Sequence, residues 1–176
     1  MRKIPPTYAW TSANVDPIVG ASFFPKAVDQ INRATQSISI CMFTARYYRG
    51  QSRNPVNDLF DALRRAAQRG VSVRLLLNQN FRDNSSAQGN QFIVRYFKSR
   101  NFQAAMGGKS TRLHSKLLLV DDDTTVIGSH NYSTRAFRTN FETSVIIKSE
   151  DINSFFLAEF ERLWKNRILL PGKANG

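Results

Sequence analysis

The stretch that most constrains this chain covers residues 113–142, LHSKLLLVDDDTTVIGSHNYSTRAFRTNFE. Two short apolar runs, 117–120 and 126–127, sit in a polar frame with three aspartates between them. Runs this short, with polar residues at each end, predict paired strands joined by a turn over 121–125. Strand side chains alternate faces, so His114 and Lys116 share one face, as do Ser129 and Asn131. A hairpin then predicts one surface bearing an imidazole, an ammonium, a hydroxyl and a carboxamide. That set suits a phosphoryl group: a base or nucleophile, a cation, and two neutral donors for the non-bridging oxygens. Each residue alone has a plainer reading, as a satisfied strand histidine, a solvated lysine or a Gly-Ser turn. The joint spacing favours a site.

The pattern His114-x-Lys116-x4-Asp121-x6-Gly128-Ser129-x-Asn131 resembles the HKD motif of the phospholipase D superfamily without a gap. The resemblance implies an α/β fold, a mixed β-sheet sandwiched between helices on both faces, over roughly residues 20–168. It implies chemistry without metal or cofactor, in which two copies of the motif face each other across a two-fold axis. One motif per chain then implies a homodimer with a composite active site. One His114 attacks phosphorus, and the partner subunit's His114 protonates the leaving oxygen and later activates water. Lys116 and Asn131 cradle the non-bridging oxygens with help from Ser129, and Glu142 accepts a ring N–H to orient a histidine, its own or its partner's. Asp121 and Gly128 are expected to be structural. His130 fills the variable position of the motif and is also read as structural. A rival reading gives residues 121–123 to Mg²⁺; an acidic turn is preferred and no metal is expected.

Charge narrows the substrate. The chain has 176 residues, with 25 Lys and Arg against 13 acids, and a net charge of +12. Such a balance points to a polyanion, nucleic acid before an anionic membrane surface. Cys41, the single cysteine, excludes an internal disulfide and a cysteine zinc site, and its apolar setting predicts a buried thiol. No run approaches the ~20 apolar residues of a membrane span. The start lacks an apolar h-region, so a cytoplasmic location is expected, unless the chain is a domain of a longer protein.

In chain order, residues 1–21 read as an N-terminal arm or edge segment, 22–170 as one catalytic domain, and 171–176 as a flexible tail. Helical spacing marks 23–36 and 54–69; the latter's Arg64, Arg65 and Arg69 are read as a solvated face. Residues 37–43 and 71–77 read as buried strands. The loop 44–55 is basic and aromatic, and Arg46, Tyr47, Tyr48 and Arg49 are substrate-binding candidates, arginines for phosphates and tyrosines for bases. Arg135 and Arg138, in an acid-free stretch after the motif, join them. Residues 78–89 read as a polar loop, 90–100 as a short helix, 102–106 as a strand, and 107–110 as a turn into the motif. Residues 141–148 read as a strand and 151–164 as an amphipathic helix.

The function expected from this is a metal-independent endonuclease acting on DNA, or on RNA. The alternatives are a phospholipase or phosphatidyl transferase using the same histidines on lipid headgroups, and a nucleic-acid-binding module without catalysis. The absence of an amphipathic membrane-surface helix argues against stable membrane association.

Overall fold

The computed structural model of the protein describes residues 11–79, 84–97 and 101–170. The beginning of the arm, part of the polar loop, the end of the 90–100 helix and the tail lie outside the described residues. The element order is β1 (Asn14–Val19), α1 (Phe23–Arg33), β2 (Ser37–Met42), α2 (Pro55–Gln68), β3 (Ser72–Leu77), α3 (Asn84–Tyr96), β4 (Phe102–Met106), β5 (Lys116–Val120), β6 (Thr124–Gly128), α4 (Thr134–Arg138), β7 (Thr143–Lys148) and α5 (Glu150–Lys165).

The seven strands form one sheet in the order β1-β7-β6-β5-β2-β3-β4. β2 pairs parallel with β3 and antiparallel with β5, so it is the seam between a parallel half and an antiparallel half. Its apolar residues Ile38, Ile40, Cys41 and Met42 are all buried, as a strand covered on both faces requires. One face carries α1 to α4, through Ala27 and Ile31, Leu59, Phe60 and Leu63, Ile93, Val94 and Phe97, and Ala136 and Phe137. The other face packs Leu117 and Leu119 of β5, with Cys41, against Phe160 and Trp164 of α5. Fully burying a ring such as Phe60 stabilises the fold by about 1.5–3 kcal/mol. The mixed sheet with helices on both faces is the architecture expected.

Local signals explain the boundaries. Pro55 opens α2, and the Asn54 side chain caps it by accepting from the Val56 amide. Four expectations need correction. α3 starts at Asn84, inside the segment read as loop, because Ser and Gln in a polar helical turn leave little apolar period. α4 was not anticipated; it is one short turn capped by Ser133. β7 starts at Thr143, so Glu142 precedes the strand. Arg69 is not simply solvated: its guanidinium donates to the carbonyls of Ile31, Asn32 and Ala34 at the end of α1.

Candidate active site

The site is built where β2 and β5 end side by side. Met42 pairs with Lys116, and the Phe43 amide donates to the Ser115 carbonyl at 2.9 Å. This places the Phe43 ring beneath the first half of the motif. The exposed His114 ring lies 4.4 Å from it, Lys116 Nζ 5.1 Å and Arg112 Cζ 5.3 Å. Both cations are within cation–π range of one ring. Lys116 Nζ also donates to the His114 carbonyl at 2.9 Å and stands 3.3 Å from His114 Nδ1.

Charge follows from this crowding. The Lys116 ammonium, then partial burial, then Arg112 disfavour the imidazolium, so His114 titrates below the ordinary histidine value. Partial burial also lowers Lys116, against the pull of Glu142. The outcome is an exposed imidazole whose neutral form is favoured, beside a half-buried lysine.

The second half of the motif is organised by Glu142. Burial raises its carboxyl, but donation from Ser129 Oγ and from Asn140 Nδ2 (3.0 Å), with the charges of His130 and Lys116, holds it below the usual range. Ser129 is anchored in turn: its Oγ accepts from the Thr143 amide at 3.0 Å, and its amide donates to the Thr143 carbonyl. Among the described residues no bond joins Glu142 to the chain's own His114, so the expected ring N–H contact is not made within the chain. Asn131 Oδ1 accepts from the Thr44 amide at 3.3 Å, which leaves its NH₂ without a partner among the described residues. Thr44 follows the Phe43 platform, so Asn131 is tied to the same strand end.

The observed register places the polar groups differently from simple strand alternation. Leu117 pairs with Ile127 and Leu118 with Val126. Extended one step, this register sets Lys116 opposite Gly128 and puts Ser129 on the other face. The polar groups therefore meet around the ends of the strands and not on one flat face. Gly128 is needed because any Cβ there would strike the Thr143 carbonyl and Ser144. His130 is fully buried, stacked 4.3 Å from Phe23, with its nitrogens bonded to Ser144 Oγ (2.7 Å) and the Gly20 carbonyl (3.1 Å).

Asp121 sits at φ 51° and gathers the amides of Thr35, Gln36 and Ser37 with the Thr35 hydroxyl. Burial raises its carboxyl, but these donors outweigh it and hold the group low. It thereby fastens the hairpin to the α1–β2 connection. Asp123 pairs with Lys148 at 3.3 Å. Among the described residues no group of three His, Cys, Asp or Glu side chains is placed to share a metal ion.

The substrate-binding candidates separate into two kinds. Tyr47 is packed against Phe60, Phe92, Tyr96 and Phe97, and the Tyr48 hydroxyl accepts from the Thr134 amide at 3.2 Å. These half-buried tyrosines support the loop instead of offering free faces to bases, a correction to their expected role. Arg46, Arg49, Arg135 and Arg138 are exposed. Asn54 Nδ2 donates to Thr134 Oγ1 and Arg138 to the Arg53 carbonyl, so the two basic segments interlock into one rim.

Sequence reasoning missed three supports. Phe43 was legible merely as the end of an apolar run. Asn90, fully buried, donates to the Phe43 and Asn78 carbonyls and accepts from the Ala45 amide. Asn78 accepts from the Leu113 amide and so fixes the residue before His114. A carboxamide with every group bonded across three segments has no signature in local pattern.

Residues 27–164 match the family model described as cardiolipin synthase, PLD-like domain. The chain belongs to the phospholipase D superfamily. Among curated relatives of this superfamily member, cardiolipin synthase A of Pseudomonas putida (strain W619) is 31% identical over 165 residues, covering 88% of this chain and 31% of that protein. Mitochondrial cardiolipin hydrolase of Canis lupus familiaris is 26% identical over 146 residues, covering 83% of this chain and 52% of that protein. The chain thus spans about a third of the one and about half of the other. Among solved structures, NucT from Helicobacter pylori superposes with a TM-score of 0.71 at 17% identity, covering 90% of this chain and all of that one. Nuc from Salmonella typhimurium gives 0.69 at 20%, covering 88% and 97%. These two likenesses show a shared fold. Membership makes this chain a phospholipase D-like domain, and the two curated relatives are named for the synthesis and the hydrolysis of cardiolipin.

Proposed function

We propose that this phospholipase D-like domain is a metal-independent endonuclease, acting on DNA foremost, that works through a phosphohistidine in a site completed by a second copy of the chain. The observation that carries the reading is His114, an exposed imidazole held on Phe43 whose neutral form the Lys116 charge favours. A neutral ring nitrogen attacks phosphorus and the P–O bond to the leaving oxygen breaks. His114 of the partner subunit, in its protonated form, gives that oxygen a proton, and the neutral ring this leaves takes one from the water that cleaves the P–N bond. Lys116 and the Asn131 NH₂ stabilise the non-bridging oxygens, and Ser129 with Glu142 closes the site on the other side.

The net charge of +12 and the exposed rim of Arg46, Arg49, Arg135 and Arg138 favour a nucleic acid. One observation favours a lipid: Phe141, beside Glu142, is 86% exposed, and a greasy ring at the site edge suits an acyl surface. The test incubates the purified protein with plasmid and long single-stranded DNA in excess EDTA, beside His114→Ala. Cleavage in EDTA that vanishes in the variant supports the proposal. Turnover of phosphatidyl vesicles with no cleavage of DNA or RNA moves the domain to the lipid branch. Cleavage that requires Mg²⁺ overturns the phosphohistidine.

A further inference from the structure

The segment between β4 and β5, Gly107-Gly108-Lys109-Ser110-Thr111-Arg112, leads directly into Leu113 and His114. It borders a cavity of about 520 Å³ whose opposite wall is the C-terminal part of α5, with Arg162, Leu163 and Asn166. Among the described residues no aspartate or glutamate lines this cavity. The nearby Glu159 is bound by Arg162 at 2.9 and 2.8 Å. The glycines keep the floor open: a Cβ at 108 would press to 3.1 Å from the Asn166 carbonyl, and one at 107 would strike Leu113.

The donors around the cavity are unspent. Among the described residues, the amides of Gly108, Lys109 and Ser110, the Lys109 ammonium, and the Ser110 and Thr111 hydroxyls donate no hydrogen bond, while the Thr111 amide turns back to Gly108. Consecutive free amides with a lysine and two hydroxyls, and no carboxylate among the described lining residues, form a concave donor surface for a tetrahedral dianion or monoanion. Arg112 leaves the same loop toward the Phe43 platform, and Leu113, which lines the cavity, directly precedes His114 in the chain.

We infer that this cavity is a second phosphate subsite, which holds a flanking phosphodiester of the nucleic-acid strand whose scissile phosphate lies at His114. The inference rests on the nuclease reading above. The strand leaves the reacting phosphate along the α5 side of the sheet, while the arginine rim borders the opposite, α2 and α4 side. Seating a neighbouring phosphate in a fixed cradle sets the register of the scissile one.

The test compares a short single-stranded DNA with bis(4-nitrophenyl) phosphate, an ester with one phosphate that cannot span both places. Lys109→Ala, an exposed change, and Ser110→Asp, which adds a repelling charge, are measured on both substrates. The subsite predicts that Lys109→Ala raises KM for DNA about tenfold, the order of one charge-assisted contact, and lessens the salt dependence by about one phosphate. Ser110→Asp raises KM further, and both variants hydrolyse the ester like the wild type. Variants that match the wild type on DNA overturn the subsite, and so do variants that lose DNA and ester turnover in parallel. A wild type that hydrolyses the ester but neither DNA nor RNA overturns the nuclease reading instead.

Discussion

His114 and His130 lie sixteen positions apart in one motif, and both rest on a phenylalanine ring, at 4.4 Å on Phe43 and 4.3 Å on Phe23. Both titrate below the ordinary value, but for different first reasons: the Lys116 charge for His114 and burial for His130. His130 spends both ring nitrogens on Ser144 and Gly20. His114 is exposed and keeps Nε2 without a partner among the described residues. The contrast teaches that a lowered histidine is a chemical candidate when its nitrogens are unspent and a structural one when they are bonded. Burial favours the neutral form of the second, and a neighbouring ammonium favours the neutral form of the first.

The largest expected effect separates the two. His114→Ala should lower phosphodiester turnover about 10⁴-fold or more while leaving thermal unfolding within about 0.5 kcal/mol of wild type. A variant that keeps a tenth of the activity breaks the comparison. Lys116→Ala should cost about 10²-fold or more in turnover by removing a donor to the developing charge. Removing that cation should also raise the His114 titration midpoint, read from its ring protons by NMR. A midpoint that does not rise assigns the lowering to some other cause.

On the structural side, His130→Ala should lose about 3 kcal/mol through a cavity beside Phe23 and an unpaired Ser144. Its turnover per folded molecule should stay near wild type. The pH dependence sharpens this further. His130 is depressed in the fold, so the unfolded chain takes up the extra proton. Wild-type stability should fall as pH drops below about 6.5, and His130→Ala should show a shallower fall in denaturant titrations. The smallest effect belongs to Asp121→Asn, which keeps the shape but halves the acceptors for three amides. It should cost about 1–2 kcal/mol at neutral pH, and this cost should shrink on acidification below about pH 4, where the wild-type carboxylate itself is protonated.

Much of the fold was legible because its elements follow short-range patterns. β2 and β3 are apolar runs, α2 carries its cap and proline, and Asp121 to Asp123 mark the hairpin turn. What escaped is what depends on register and distance. Counting two residues placed Ser129 beside Lys116, whereas the observed pairing sets Gly128 there and brings the groups together around strand ends. The tyrosines of the 44–55 loop looked available because local pattern does not show that the helix carrying Phe92 and Tyr96, with Phe97 after it, packs against Tyr47. Arg69 looked solvated because its carbonyl partners end a different helix. The site's chemistry was legible from spacing; its platform, Phe43, and its clamps, Asn78 and Asn90, were not.

The most direct test of the central claim is mass spectrometry of the protein quenched in alkaline denaturant, where a P–N bond survives, during cleavage of a DNA oligonucleotide in EDTA. The account predicts a transient nucleotidyl adduct on the peptide carrying His114, absent in His114→Ala and unaffected by chelation. Adduct-free turnover, or an adduct on any other residue, would contradict it.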